Sequence, residues 1–134
     1  MSKIIEQKIK ALEAEGVKNV KLALTDIDGV LRGKYLALNK FKSIAKATGG
    51  FCDCVLGWDC ADQLYDNATF TGWHTAYPDA KYKVDLSTER RIPTEDHIPF
   101  YLCEFVGDSG NDLHSICPRS LLRRVLNHAE EMGF

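Results

Sequence analysis

Basic charge is nowhere in excess in this 134-residue chain: 17 Lys and Arg stand against 19 Asp and Glu, a formal charge of −2. Without a basic stripe there is no electrostatic footprint for a polyanion, so no nucleic-acid partner is expected. Long apolar runs are missing too. None approaches the roughly 20 residues that cross a bilayer, so no membrane partner is expected either. The opening Met1-Ser2-Lys3-Ile4-Ile5-Glu6 lacks the apolar core of a secretion signal. Cysteine occurs an odd number of times, 5, at irregular spacing, which reads as reduced thiols in the cytoplasm. Cys52-x-Cys54 with Cys60 and His74 fits no standard zinc spacing, and these residues are assigned to packing. A glycine-rich phosphate loop, internal repeats and low-complexity tracts are also lacking. What is present is 45% hydrophobic and 27% charged residues, enough for one cored domain and short for two.

Residues 22–35, Leu-Ala-Leu-Thr-Asp-Ile-Asp-Gly-Val-Leu-Arg-Gly-Lys-Tyr, organise the chain. Asp28-Gly29 between two apolar-rich runs predicts a hairpin, because a type I′ turn needs positive φ at both central residues. A two-residue loop would place Ile27 opposite Val30, Leu24 opposite Gly33 and Leu22 opposite Tyr35. Leu22, Leu24, Leu31 and Tyr35 would then share the core face. Lys21, Ala23, Thr25, Arg32 and Lys34 would take the other, with Arg32 and Lys34 solvated. Asp26 and Asp28 read as turn residues. The same letters resemble the phosphatase motif of the haloacid dehalogenase superfamily. That resemblance implies Asp26 as nucleophile, Asp28 as acid/base, and Asp108 and Asp112 of Gly107-Asp108-Ser109-Gly110-Asn111-Asp112 as further ligands of Mg²⁺. Such an active site requires parallel strands with crossover helices, whereas here the motif runs straight into a second strand pattern. A magnesium-dependent phosphatase is therefore the alternative.

Around the hairpin, residues 3–15 predict a helix with Ile5, Ile9 and Leu12 on its apolar stripe, Ser2 as N-cap and Gly16 just past its end. A second helix is expected over 40–48, capped by Asn39, with Phe41, Ile44 and Ala45 inward and Gly49-Gly50 ending it. Tyr82, Val84 and Leu86 alternate with charged residues as a third strand. Residues 100–106 form a fourth, and 113–116 a short fifth. Pro118 suits the first turn of a last helix, whose stripe is Leu121, Leu122, Val125, Leu126, Ala129 and Met132. That stripe needs a surface to bury against, and a chain ending at Phe134 reads as cut from something longer. The order α-β-β-α-loop-β-β-(β)-α implies an α+β domain.

Residues 57–79 fit neither a helical nor a strand period. They hold both tryptophans, two tyrosines, His74 and four aspartates. A long aperiodic segment in a small domain is usually functional, and this aromatic content argues against disorder. The segment reads as a binding or active-site loop.

Three stretches together resemble the glutamine synthetase family, in its glutamyl-amide ligase branch. They are residues 24–35, residues 57–79 with Gly-Trp-Asp and Thr-Gly-Trp-His-Thr, and residues 117–134 from Cys-Pro-Arg to Gly-Phe. The resemblance implies that residues 1–116 are the amino-terminal β-grasp domain, an antiparallel-rich sheet with packed helices. Residues 117–134 would be the first helix of a catalytic domain that lies downstream. It implies ATP-dependent joining of glutamate to ammonia or an amine, as in glutamine biosynthesis and nitrogen metabolism. ATP and Mg or Mn would be held by the longer parent, with no cofactor in this segment. Its partners would be its own catalytic domain and neighbouring subunits of a ring-shaped homo-oligomer. In the family an Asp-Gly-Ser-Ser loop of this domain reaches the neighbour's active site, where its Asp helps bind ammonium. The match places Asp59 at that Asp, followed by Cys60, Ala61 and Asp62 in place of Gly-Ser-Ser, which leaves ammonia or another amine open. Asp62, Trp58 and Trp73 are secondary members of that substrate loop. A stand-alone β-grasp binding module is the non-catalytic alternative.

Overall fold

The computed structural model describes residues 2–107, 109–110 and 114–134. Helix α1 (Ser2–Ala14) buries Ile9 and Leu12, as its apolar spacing predicts. It ends where Gly16 takes φ +73° and Val17 N donates to Leu12 O. Strands β1 (Asn19–Thr25) and β2 (Leu31–Ala37) form the expected antiparallel hairpin, and α2 (Leu38–Lys46) follows directly. Helix α2 buries Leu38, Phe41 and Ile44, and the Phe41 ring stacks on Tyr101 with centroids 5.1 Å apart. The remaining strands are β3 (Gly49–Cys52), β4 (Asp79–Val84), β5 (Arg90–Ile92) and β6 (Ile98–Phe105).

The sheet runs β2-β1-β6-β4-β3, with β5 also on β6. Strand β6 is its hub. Its Phe100 has Lys21 of β1 on one edge and Arg90 of β5 on the other, and β4 continues that second edge along residues 103–105. The pair β1–β6 is parallel and every other pair antiparallel. The expected α+β class and antiparallel-rich sheet with packed helices hold, with this one parallel contact added.

The register of the hairpin differs from the sequence expectation. Asp26 N donates to Val30 O at 2.9 Å, so the loop is the three residues Ile27, Asp28 and Gly29, and Gly29 alone takes a positive φ, +83°. Leu22 consequently faces Lys34 and Leu24 faces Arg32. A one-residue slip turns a strand over. Leu31 and Tyr35 lie outside, 51% and 58% exposed, while Arg32 and Lys34 take the half-buried inner face. Lys34 donates to Gly50 O at 2.9 Å and lies over the rings of Phe51 and Tyr82. Outside, Lys21 and Tyr35 converge on Glu95, each at 2.6 Å.

Other boundaries also moved. Gly49 and Gly50 begin β3 rather than merely ending a helix, and a Cβ on Gly49 would lie 2.3 Å from the buried Tyr82 ring, where it would not fit. Ala37, not Asn39, precedes α2, with no side-chain cap. Of the expected strand over 113–116, residue 113 lies outside the described residues and 114–116 are not strand. Helix α3 (Pro118–Glu131) does start on its proline. It docks by a polar face: buried Ser120 donates to Glu104 at 2.7 Å, Arg119 pairs with Asp85 at 2.6 Å, and Arg123 pairs with Glu104 at 2.6 Å. Leu121, Leu122, Val125 and Leu126 are each more than half exposed.

Candidate functional site

No helix or strand occurs over residues 57–78, in keeping with their lack of period; the one ladder element is a bridge between Trp58 and Leu64. That bridge closes a tight turn. Asp59 N donates to Gln63 O at 3.0 Å, and Tyr65 N donates to Gly57 O at 2.8 Å. Asp59 Oδ1 accepts from the amides of Ala61 (2.8 Å) and Gln63 (3.0 Å), a local side-chain cap that shapes the turn. Asp62 sits at φ +63°, a conformation Asp tolerates. Asp59 Oδ2 makes no hydrogen bond or ion pair among the described residues.

The turn is fastened to the hairpin tip. Asp26 is fully buried; its Oδ1 accepts from the amides of Asp28 (3.0 Å) and Val30 (2.8 Å), and its Oδ2 from Arg32 Nε at 2.8 Å. Arg32 then reaches across, donating from Nη1 to Asp62 Oδ1 at 2.5 Å and from Nη2 to the Asp59 carbonyl at 3.3 Å. Its guanidinium lies 5.1 Å from the Trp58 ring centroid. Asp28 Oδ2 accepts from Cys60 N at 2.9 Å, and Ile27 N donates to Val55 O at 3.2 Å. The hydrogen bond with Asp26, joined by that with Asp62, pushes Arg32 still further above its ordinary value. The Tyr65 hydroxyl is pushed up by burial and by Asp28 and Asp59, so it stands in the same acidic field.

The guanidinium of Arg32 thus binds the carboxylates of Asp26 and Asp62 and the Asp59 carbonyl, while the carboxylates of Asp28 and Asp59 take backbone amides of the same turn, so that four carboxylates and one guanidinium meet at this junction. The patch is net negative, and one carboxylate oxygen of Asp59 remains unengaged. Such a group can hold a cation by charge-assisted hydrogen bonds and accept its proton.

Of the residues expected from sequence, Asp59, Asp62 and Trp58 come together. Asp62 is tied by its ion pair, and Trp58 is half-buried with its indole N–H lacking a partner. Trp73 makes no hydrogen bond with Asp59 or Asp62; it is 84% exposed, set edge-on to Tyr77 at 5.3 Å, beside a groove of about 250 Å³ lined also by Tyr65 and Asp66. Asp26 and Asp28 are turn residues as read, and after Gly29 the chain enters antiparallel β2, not a helix. Asp108 and Asp112 lie outside the described residues. Arg32 was missed as a site residue because the assumed register pointed it to solvent. Among the described residues no group of three or more His, Cys, Asp or Glu could hold a metal ion. No helix among them is long and apolar enough to cross a membrane.

No family model matches the chain. The type-1 glutamine synthetase 2 of Dictyostelium discoideum is 50% identical over 115 residues, 86% of this chain and 22% of that protein. A glutamate–isopropylamine ligase of Pseudomonas sp is 36% identical over 124 residues, 92% of this chain and 27% of that protein. Among solved structures, the glutamine synthetase of Plasmodium falciparum matches with a TM-score of 0.68 at 15% identity, covering 96% of this chain and 23% of that one. The chain therefore spans about a quarter of the length of the curated relatives it matches. By these matches the chain belongs to the glutamine synthetase family, corresponding to the amino-terminal part of its members.

Proposed function

We propose that this chain is the amino-terminal domain of an ATP-dependent ligase joining glutamate to ammonia or an amine, and that it lends the turn at 57–65 to the active site of a neighbouring subunit. The observation that carries this reading is Asp59, a carboxylate fixed by two backbone amides in a net-negative patch, with its second oxygen unengaged. There it would hold the ammonium form of the nitrogen donor, take its proton and leave a neutral nucleophile. Asp62 and Trp58 would shape this site, and Trp73 would contact the neighbour. ATP, with Mg or Mn, would phosphorylate the glutamate side chain in a catalytic domain that this chain does not contain.

Residues 1–116 form the amino-terminal domain on this reading, and 117–134 begin the catalytic one. The exposed stripe of α3 supports it: a helix docked by Arg119, Ser120 and Arg123 presents its leucines outward, to its own catalytic domain. A homo-oligomeric ring would bring the turn to its neighbour. Five free thiols agree with a cytoplasmic setting.

The test is ADP formation by the protein extended through the sequence that follows Phe134. ADP should appear only when glutamate and ammonia or an amine are both supplied, and residues 1–134 alone should form none. An extended protein that hydrolyses ATP without regard to the nitrogen donor contradicts the proposal.

A further inference from the structure

We infer that Arg32 is a positioning residue for the nitrogen-donor site, a strut that fixes the Asp59 turn on the hairpin tip. This rests on the reading of Asp59 given above. The turn at residues 58–65 meets the hydrophobic core only through Trp58. It lacks a sheet partner beyond the Trp58–Leu64 bridge, and Asp62, Gln63, Leu64 and Tyr65 are all exposed. Its attachments to the hairpin tip are the amide of Cys60 on Asp28 and three contacts of Arg32, with Asp62, the Asp59 carbonyl and the Trp58 ring; the fourth contact of Arg32, with Asp26, anchors it within the hairpin. The hairpin end of the strut is rigid, because Asp26 is fully buried and held by two amides of its own loop. The guanidinium is itself only partly exposed, its side chain 19%. A planar fork with several donors can serve a buried carboxylate, an exposed carboxylate and a carbonyl at once; an ammonium on a lysine stem cannot. The contact on the Asp59 carbonyl bears directly on the residue whose carboxylate must be placed.

Two variants separate the strut from general stability. Arg32→Gln removes all four contacts but leaves Asp26 without its cation. Asp62→Asn weakens only the outer end, taking away its charge while leaving a carbonyl that can accept, and asparagine keeps the positive φ that residue 62 needs. On the 134-residue chain, amide hydrogen exchange at Cys60, Ala61 and Gln63 should accelerate severalfold in Asp62→Asn and tenfold or more in Arg32→Gln. Amides of β1 and β6 should be unchanged in Asp62→Asn. In the complete ligase, Asp62→Asn should raise the KM for the nitrogen donor with the KM for ATP unchanged, and Arg32→Lys should fall between wild type and Arg32→Gln. Wild-type exchange at residues 60–63 in Asp62→Asn overturns the strut, as does an unchanged donor KM. An Asp59→Asn ligase with wild-type kcat instead overturns the reading of Asp59 and leaves the exchange result standing.

Discussion

Replacing Asp26 by Asn tests the hairpin tip at its centre. Asparagine is nearly isosteric, and its carbonyl can still accept from the amides of Asp28 and Val30. Its amide nitrogen, however, would confront Arg32 Nε, donor against donor, where a carboxylate now accepts at 2.8 Å. One charge-assisted hydrogen bond is lost, worth about 1.5–3 kcal/mol. Removing one partner of a fully buried pair costs about 3–5 kcal/mol, but Arg32 is partly solvated and keeps Asp62, so about 2–3 kcal/mol is expected. For a chain of this length that lowers Tm by roughly 10 °C. Asp28→Asn, which only removes the charge from one exposed contact with Cys60 N, should cost under about 1 kcal/mol. The assay is urea unfolding of both variants against wild type, with m compared to confirm that only stability changed. An Asp26→Asn chain as stable as wild type would refute the structural role of this carboxylate and reopen the reading in which Asp26 is a nucleophile.

Gly33→Ala should destabilise the chain by about 1–3 kcal/mol in the same assay, because its Cβ would lie 2.4 Å from the backbone oxygen of Leu22. Leu126→Lys, on the 54%-exposed outer face of α3, should change stability by less than about 0.5 kcal/mol, yet in the extended protein it should weaken assembly with the catalytic part, seen by size-exclusion chromatography. The third concerns pH. Burial pulls the Asp85 carboxylate up, but hydrogen bonds from Ser87 and Arg119 outweigh it, and Glu89 is lowered likewise by Lys8 and Tyr101. Folded pKa values below the unfolded ones stabilise above the ordinary carboxylate range and lose that contribution as pH falls through the folded values. Tm should therefore be nearly flat from pH 7 to 5 and drop below about pH 4, and Asp85→Asn should shrink that drop.

Local signals carried the helices. Ile9 and Leu12, then Phe41 and Ile44, sit at spacings that only a helix can bring to one face, and they are buried as read. Asp28-Gly29 disclosed a turn but not its length. A two-residue loop and a three-residue loop with glycine last use the same letters, and the choice flips every side chain of β2. Apolar alternation favoured Leu31 and Tyr35 as core; the tertiary structure instead places Arg32 and Lys34 inside, where Asp26 and the Gly50 carbonyl receive them. The parallel contact of β1 with β6 pairs Lys21 with Phe100, and β3 lays Gly49 beneath Tyr82 of β4, partners that no local window reveals; β5 pairs with the nearby β6, but three residues, Arg90 to Ile92, are too few to show a period. The aperiodic aromatic segment marks a candidate loop, and only the resemblance to the family's Asp-Gly-Ser-Ser loop singles Asp59 out of its four aspartates. Its strut was not found, because Arg32 can be recognised only once the register is right.

The claim on which the rest depends is that the Asp59 carboxylate receives the nitrogen donor in a neighbouring subunit's site. Steady-state kinetics of Asp59→Asn in the complete ligase tests it most directly. Asparagine keeps the shape and a carbonyl for the amides of Ala61 and Gln63 but removes the charge. Loss of one preorganised electrostatic contact of this kind costs about 10²–10³-fold in kcat, with the KM for ATP expected to stay near its wild-type value. Mixed assemblies of Asp59→Asn subunits with subunits inactivated in the catalytic domain should recover part of the activity. A kcat near wild type would contradict the account and reduce Asp59 to the cap of its own turn.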